Sequence, residues 1–308
     1  MTAGQSPLRV CIGVPTFRRP RLLVSLLEAL VPELAGLSAT ILVADNDVSE
    51  EVRTAVRELG LRVLVPIFYI PVAQRGISHA RNALVAGAFV RASDFEWLVM
   101  YDDDAMIRPG ALRRLLDGAC AHQAELAGGP VVGRFPVDYH NVFVCNSVLA
   151  RRTRWPSGPV SRLEITQNLA ISRRLFERLE IPLFNAEFGL TGGEDYDLFR
   201  RAERAGARQV WCDDAVIDEL VIVDRLTTRS VFQRAFSSGI SIIMVDRYYA
   251  SRARLLADDL VGLAKSTAAS LVRALSGRPE QAARDCLGVA YYAGRLAWQL
   301  GVRRELYR

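Results

Sequence analysis

Short apolar runs alternate with stretches of helical period through the first hundred residues. Val10, Cys11, Ile12 and Val14 form a run of strand length, and so short a run without a polar face predicts a buried strand. Pro20 then opens a segment in which Leu22, Leu23, Leu26, Leu27 and Leu30 recur every three or four residues, the stripe of an amphipathic helix. Residues 39–44 predict a second strand, which ends at Asp45, Asn46 and Asp47, and Ser49 caps a helix over 50–59. Residues 61–70 are strand-like, with Pro66 making this an edge or interrupted strand. Gly76, Ile77 and Ser78 lead into a helix through Ala80, Arg81, Asn82 and Ala83. Trp97, Leu98, Val99, Met100 and Tyr101 predict a further strand, which ends in three adjacent carboxylates, Asp102, Asp103 and Asp104. Pro109 and Gly110 then introduce a helix with the proline at its first position.

Strand alternating with helix predicts an α/β fold: a mostly parallel sheet flanked by helices on both faces. The middle of the chain is less regular. Residues 127–133 predict a strand kinked by glycines, 165–172 another strand, 173–179 a short helix and 184–191 a loop. Gly192 and Gly193 then deliver Glu194 and Asp195 to the first turn of a helix, where the helix dipole favours acids. From Arg225 the pattern turns helical. In residues 252–275, Leu256, Leu260, Leu263 and Leu271 fall on one face, and Arg254, Asp258, Asp259, Lys265 and Arg273 on the other. A second helix over about 281–300 carries Tyr291, Tyr292 and Trp298, and the chain ends in Arg303, Arg304, Glu305, Leu306, Tyr307 and Arg308. The expected division is a catalytic domain over 1–225 and a C-terminal helical extension over 226–308.

Composition narrows the class. Half of the 308 residues are hydrophobic, which supports a sizeable core and excludes global disorder. The net charge of +5 is too mild for a nucleic-acid binder and suits an anionic small ligand or an anionic membrane surface. Five scattered cysteines, never in a C-x-x-C pair, argue against a disulfide framework and a structural zinc site, and for buried thiols in a reducing cytoplasm. The first nine residues lack the pattern of a signal peptide, and no apolar run is long enough to predict a membrane-spanning helix.

The acids at the strand ends carry the chemistry. In an open parallel sheet, ligands bind beyond the carboxyl ends of the strands, and Asp45 and residues 102–104 both fall there. Neighbouring carboxylates repel by roughly 4 kcal/mol per pair at about 4 Å in a medium of effective dielectric near 20. A hard divalent cation, Mg2+ or Mn2+, would offset that repulsion; a solvated acidic turn capping the next helix is the simpler alternative. Neither G-x-G-x-x-G nor the P-loop pattern occurs, so a nucleotide would be held by carboxylates and a metal. Asp195 or Glu194 could serve as a general base, or the two could simply cap their helix. Asn168 and Gln167 could touch a donor sugar or make ordinary strand-edge hydrogen bonds. His79, His122 and His140 read as surface groups rather than ligands.

Taken together, these stretches resemble the inverting nucleotide-sugar glycosyltransferases of family 2, and more closely the bacterial branch that builds succinoglycan-type exopolysaccharides. The likeness spans about residues 9–239. It rests on Val14-Pro15-Thr16-Phe17-Arg18-Arg19, Val43-Ala44-Asp45-Asn46-Asp47, Gly76-Ile77-Ser78-His79-Ala80-Arg81-Asn82, Tyr101-Asp102-Asp103-Asp104 with Pro109-Gly110, and Gly192-Gly193-Glu194-Asp195. The resemblance implies a GT-A fold that binds a nucleotide-sugar, with uridine as the default base. It places the Asp-x-Asp motif on Asp102 and Asp104. Asp104 would hold the metal, Asp102 would share it or touch the ribose, and Asp103 would be the variable middle residue. Pro15, Thr16 and Asp45, or else Asp47, would line the nucleobase pocket. Arg81 would lie near the acids or the diphosphate, and Asp195 would be the base with Glu194 beside it. The implied acceptor is a saccharide or a polyprenyl-diphosphate-linked saccharide, and the implied location is the cytoplasm, at the inner face of the plasma membrane. The family often has Glu-His-Val where this chain has Glu219-Leu220-Val221, followed by Arg225-Leu226-Thr227, so Leu220 removes a possible metal or phosphate ligand. Two alternatives stay open: a sugar nucleotidyltransferase, and an inactive nucleotide-sugar sensor or scaffold. The tail helices would either pack on protein or lie at a membrane surface.

Overall fold

The computed structural model describes residues 6–135, 139–150 and 154–302; the closing Arg303, Arg304, Tyr307 and Arg308 of the tail lie outside them. In chain order the elements are β1 (Arg9–Thr16), α1 (Pro20–Glu33), β2 (Ser38–Asp45), α2 (Glu50–Gly60), β3 (Ile67–Pro71), α3 (Ile77–Arg91), β4 (Trp97–Tyr101) and β5 (Ala105–Ile107). There follow α4 (Ala111–Ala121), β6 (Leu126–Gly128), β7 (Val131–Arg134), α5 (Val142–Cys145), β8 (Gly158–Val160), β9 (Asn168–Ser172) and α6 (Glu194–Arg204). The last are β10 (Gln209–Trp211), β11 (Ile217–Leu220), α7 (Thr228–Asp246), α8 (Arg252–Leu275) and α9 (Pro279–Gln299). The chain forms two compact units. One holds Met1–Val131, Arg154–Gly189 and Asp197–Glu219; the other holds Val132–Thr153, Leu190–Tyr196 and Leu220–Arg308. The second unit thus draws in two inner segments besides the chain beyond residue 225.

The first unit is built on a sheet ordered β3-β2-β1-β4-β9-β6-β10-β8. β1 pairs in parallel with β2 and β4, β2 with β3, and β6 with β10. β9 runs antiparallel between β4 and β6, and β8 antiparallel to β10. Successive strand side chains point to opposite faces, and both faces are covered. Val10, Ile12, Val14, Ile41, Val43, Val99 and Tyr101 pack with the leucines of α1 and α4 and with Val52 and Val56 of α2. Cys11, Leu42, Ala44, Leu98 and Met100 pack on the other side with Ala80, Leu84 and Ala88 of α3 and Leu198 and Phe199 of α6. A strand buried on both faces reads as a continuous apolar run, which is why β1, β2 and β4 are visible in the sequence.

Several details differ from the sequence reading. β1 runs on through Pro15 and Thr16. Of the two expectations for Pro66 the edge strand holds, since Pro66 precedes β3 and β3 lies at one edge of the sheet. The glycine-kinked strand is two strands, β6 and β7, broken at Gly129 and Pro130. α4 starts at Ala111, two residues after Pro109, because Gly110 takes the left-handed conformation at φ 75° as its N-cap, which glycine tolerates without a Cβ clash. The Gly110 amide is bonded to Glu33 Oε1 at 2.9 Å. All five cysteines are free, and Cys120 is exposed.

The second unit packs α5, α7 and α9 around Val144, Leu149, Val221, Leu226, Val231 and Leu287. α7 and α9 meet through glycines. A Cβ on Gly239 would lie 2.0 Å from the Tyr291 carbonyl oxygen, and one on Gly294 2.0 Å from that of Phe236. α8 turns an unexpected face inward. Leu255, Asp259 and Gly262 are its buried residues, while Leu256, Leu260 and Leu271 are exposed. Asp259, expected on a solvated face, instead accepts a hydrogen bond from Arg295 Nε and another from Gln299 Nε2 at 2.7 Å. Arg295 also reaches Asp246 Oδ2 at 2.8 Å. This buried polar network, rather than the leucine stripe, seats the hairpin of α8 and α9. No described helix is long and apolar enough to cross a membrane.

Candidate active site

Within the first unit, the carboxyl ends of β1, β2 and β4 bring together Thr16, Asp45 and the acids that follow Tyr101. The register sets Thr16 opposite Asp45 and Gly13 opposite Met100. Asp103 is the most deeply held of the three consecutive acids. Thr16 Oγ1 donates to its Oδ2 at 2.8 Å and Arg19 Nη1 to its Oδ1 at 3.1 Å. The same Arg19 nitrogen reaches Asp104 Oδ2 at 2.9 Å. Asp102 is paired with the buried Arg81 through Nη2 at 3.2 Å, and the Arg81 guanidinium lies over the Phe184 ring. The middle acid is thus anchored inward, while Asp102 and Asp104 flank it.

A fourth carboxylate arrives from far along the chain. The acids are followed at once by β5, and β11 pairs antiparallel with it so that Glu219 stands opposite Ala105. Arg108 clamps this pairing with a two-pronged grip on Asp218, at 2.8 and 2.7 Å. Glu219 is buried and accepts from Gln167 Nε2 at 3.4 Å. The electrostatic result is clear at Asp104. Burial, then the charges of Asp102, Glu219 and Asp103, push its carboxyl up to about 7 against the partial relief given by Arg19. Burial also raises Asp103, with Arg19 and Thr16 opposing. Arg19 is itself held above the ordinary arginine range, burial being outweighed by Asp103 and Asp104.

Other candidate residues have structural partners. Asp45 is fully buried and accepts from the Asp47 amide at 3.0 Å, the Ser49 amide at 2.7 Å and the Tyr69 hydroxyl at 3.0 Å. Its carboxylate therefore shapes the turn after β2. Asp47 lies outward and pairs with Arg18 at 3.0 Å. Arg18 and Arg75 stack on the Phe17 ring, with guanidinium carbons 4.8 and 5.1 Å from its centroid; together they form a basic rim suited to an anion. Pro15 and Thr16 are buried beneath it. Asn168 is buried opposite Tyr101 in the β4–β9 register and donates to Ala215 O, in the connection between β10 and β11, at 2.7 Å. His122 and His140 are exposed and His79 half-buried.

Glu194 and Asp195 belong to the second unit. Glu194 is buried and Asp195 half-buried, with its Oδ1 accepting from the Tyr196 amide at 2.7 Å. The loop before them is tied to α7 by Ser241 Oγ, which donates to Thr191 O at 2.6 Å. Tyr196 is tied to the end of the same helix by its hydroxyl, which donates to Asp246 Oδ1 at 2.9 Å. Asp246 in turn holds Arg295.

Sequence reasoning quoted Arg19 and Glu219 but gave neither a role. Arg19 was one of several arginines in a loop, and nothing local marks it as the partner of acids more than eighty residues away. Glu219 was visible only if the β5–β11 pairing was known.

Among the described residues no three His, Cys, Asp or Glu side chains are placed as a ready cation cage. The donor set still fits a divalent cation. An excess of carboxylate charge at Asp104 is only partly offset, and a Mg2+-type ion usually takes one or two protein carboxylates and completes its shell with substrate phosphates and water.

Comparison with known proteins gives the family and the fold. A sequence profile described as glycosyltransferase like family 2 matches residues 7–241. The succinoglycan biosynthesis protein ExoM of Rhizobium meliloti (strain 1021) is 30% identical over 293 residues, covering 94% of this chain and 89% of that protein. The mannosyltransferase PcManGT from Pyrobaculum calidifontis, solved with GDP-Man and Mn2+, superposes with a TM-score of 0.61 at 18% identity, covering 94% of this chain and 87% of its own. S. aureus TarS 1–349, solved with UDP-GlcNAc, gives a TM-score of 0.51 at 13% identity, covering 96% and 92%. The chain belongs to the glycosyltransferase family 2-like proteins and has their GT-A fold.

Proposed function

We propose that this family 2 glycosyltransferase moves a sugar from a nucleotide-sugar, with a UDP-sugar as the default donor, to a saccharide hydroxyl during exopolysaccharide assembly, with inversion at the transferred carbon. The observation that carries the reading is the carboxylate excess at Asp104, which Arg19 only partly offsets, beside an Asp102 paired with Arg81. Asp104 and Asp102 are the residues that would hold a divalent cation, Mn2+ or Mg2+. Such an ion, when bound, neutralises the charge that develops on a departing nucleoside diphosphate. Arg81 and the rim arginines contribute to the same end by receiving phosphate oxygens, for which guanidinium geometry is well suited. Thr16 fixes Asp103 from below, which keeps its two neighbours facing the donor. Asp47, reached from the surface, is the better candidate for the nucleobase, and Asp45 supports it by holding the turn.

Asp195 is the candidate base. It takes the proton from the acceptor hydroxyl as that oxygen attacks, a contribution of roughly 100- to 10,000-fold in rate. One base and one displacement give inversion. The name of the ExoM relative supports an acceptor in polysaccharide assembly, with a polyprenyl-diphosphate-linked saccharide as the specific proposal. The exposed leucines of α8 are proposed to rest on the inner face of the cytoplasmic membrane where such an acceptor is held.

A thermal-shift panel of UDP, GDP, dTDP and CDP, each with Mn2+ and with a chelator, tests the donor site. Stabilisation by one nucleotide only when the metal is present is the expected result. No shift with any nucleotide would favour a scaffold role instead.

A further inference from the structure

We propose that Arg19 is the built-in counter-cation of the acid cluster, which a divalent cation must displace before it can bind. The proposal rests on the reading of Asp102 and Asp104 as a metal site and deepens it. One Arg19 nitrogen, Nη1, bridges Asp103 Oδ1 at 3.1 Å and Asp104 Oδ2 at 2.9 Å. Its positive charge is thus already placed on Asp104, one of the two carboxylates that would hold the metal. The two bridged acids depend on it unequally. Asp103 keeps Thr16 Oγ1 when Arg19 leaves, whereas among the described residues Arg19 is the side-chain partner of Asp104. Asp104 is therefore the group that Arg19 must release to a metal.

Arg19 is built to move. It stands at the N-cap of α1 with no side-chain capping bond, and its main chain is held independently by Leu23 N to Arg19 O at 3.1 Å. Its side chain is one-third exposed, against a tenth or less for the two acids it bridges. Beside it in the chain lies the Phe17 ring with Arg18 and Arg75 stacked on it. A released Arg19 guanidinium joins that cationic rim and can form paired hydrogen bonds with phosphate. Arg19 thus acts against the metal alone and for the nucleoside diphosphate. It makes metal binding weak until a donor is present to receive the arginine.

The two opposed signs provide the test. Mn2+ binding to the full chain without nucleotide, read by electron paramagnetic resonance, should be about tenfold tighter in Arg19→Gln than in the wild type, as expected for removing one competing charge contact. UDP or GDP binding in chelator, read by calorimetry, should be weaker in the same variant. Arg19→Lys, which keeps the charge, should stay near the wild type for Mn2+, and circular dichroism checks that each variant is folded. Equal or weaker Mn2+ binding by folded Arg19→Gln would overturn the proposal while leaving the metal site intact. Absence of Mn2+ binding by the wild type and the variant, with or without nucleotide, would overturn the metal reading and this proposal with it.

Discussion

Asp104 gives the most direct residue-level consequence. Its carboxyl is raised from 3.8 to about 7, first by burial and then by Asp102, Glu219 and Asp103. Between those two values the folded protein holds a proton that the unfolded chain has released, so stability falls as pH rises through the window. Asp103 acts in the same direction. In chelator, the Tm of the wild type should therefore decline from about pH 4 to about pH 7, and Asp104→Asn should flatten that decline. Scanning calorimetry across the range checks this; an unchanged slope in Asp104→Asn would mean that the acid cluster is not strained in the way described. The residue scale is also where the sequence was most ambiguous. Three adjacent aspartates announce a site, but which of them turns inward depends on Thr16 and Arg19, which lie on another strand and loop. Asp45 is a nucleobase contact by resemblance, and it also anchors its own turn. Its bonds to Ser49, Asp47 and Tyr69 come from a turn geometry that no spacing reveals.

At the scale of elements, the sequence resolved what local pattern controls. β1, β2 and β4 are continuous apolar runs, and α1 and α2 carry clear stripes with a proline and a serine at their starts. The antiparallel insertion of β9 and the β5–β11 pairing were not legible, because pairing partners are chosen by long-range packing. The C-terminal hairpin inverted its expected faces for a physical reason. Arg295 bridges Asp246 and the buried Asp259, which also accepts from Gln299, so this polar face can turn inward, and the leucines of α8 are left outside. Two predictions follow at this scale. Arg295→Met takes the cation away from the buried Asp259 and from Asp246 and should cost about 3–5 kcal/mol in urea unfolding; a loss below 1 kcal/mol would show the network to be unimportant. Leu260→Glu with Leu271→Glu places charge on the exposed face and should reduce co-sedimentation with anionic phospholipid vesicles without lowering Tm. Unchanged sedimentation would remove the membrane from the account. Deletion from residue 251 would take Arg295 away from Asp246, which holds Tyr196 next to the candidate base.

For the molecule as a whole, the fold and family are settled by the match over residues 7–241 and by the structural likenesses. The proposed chemistry assigns metal binding to Asp102 and Asp104 and proton abstraction to Asp195. Its most direct test is the release of nucleoside diphosphate from a panel of UDP- and GDP-sugars with Mn2+, comparing the wild type with Asp195→Asn. One donor should be turned over with its acceptor, chelator should stop the reaction, and Asp195→Asn should lower kcat by roughly 100-fold or more while still binding the donor. Near-normal turnover by Asp195→Asn, or turnover indifferent to chelator, would contradict the proposed chemistry.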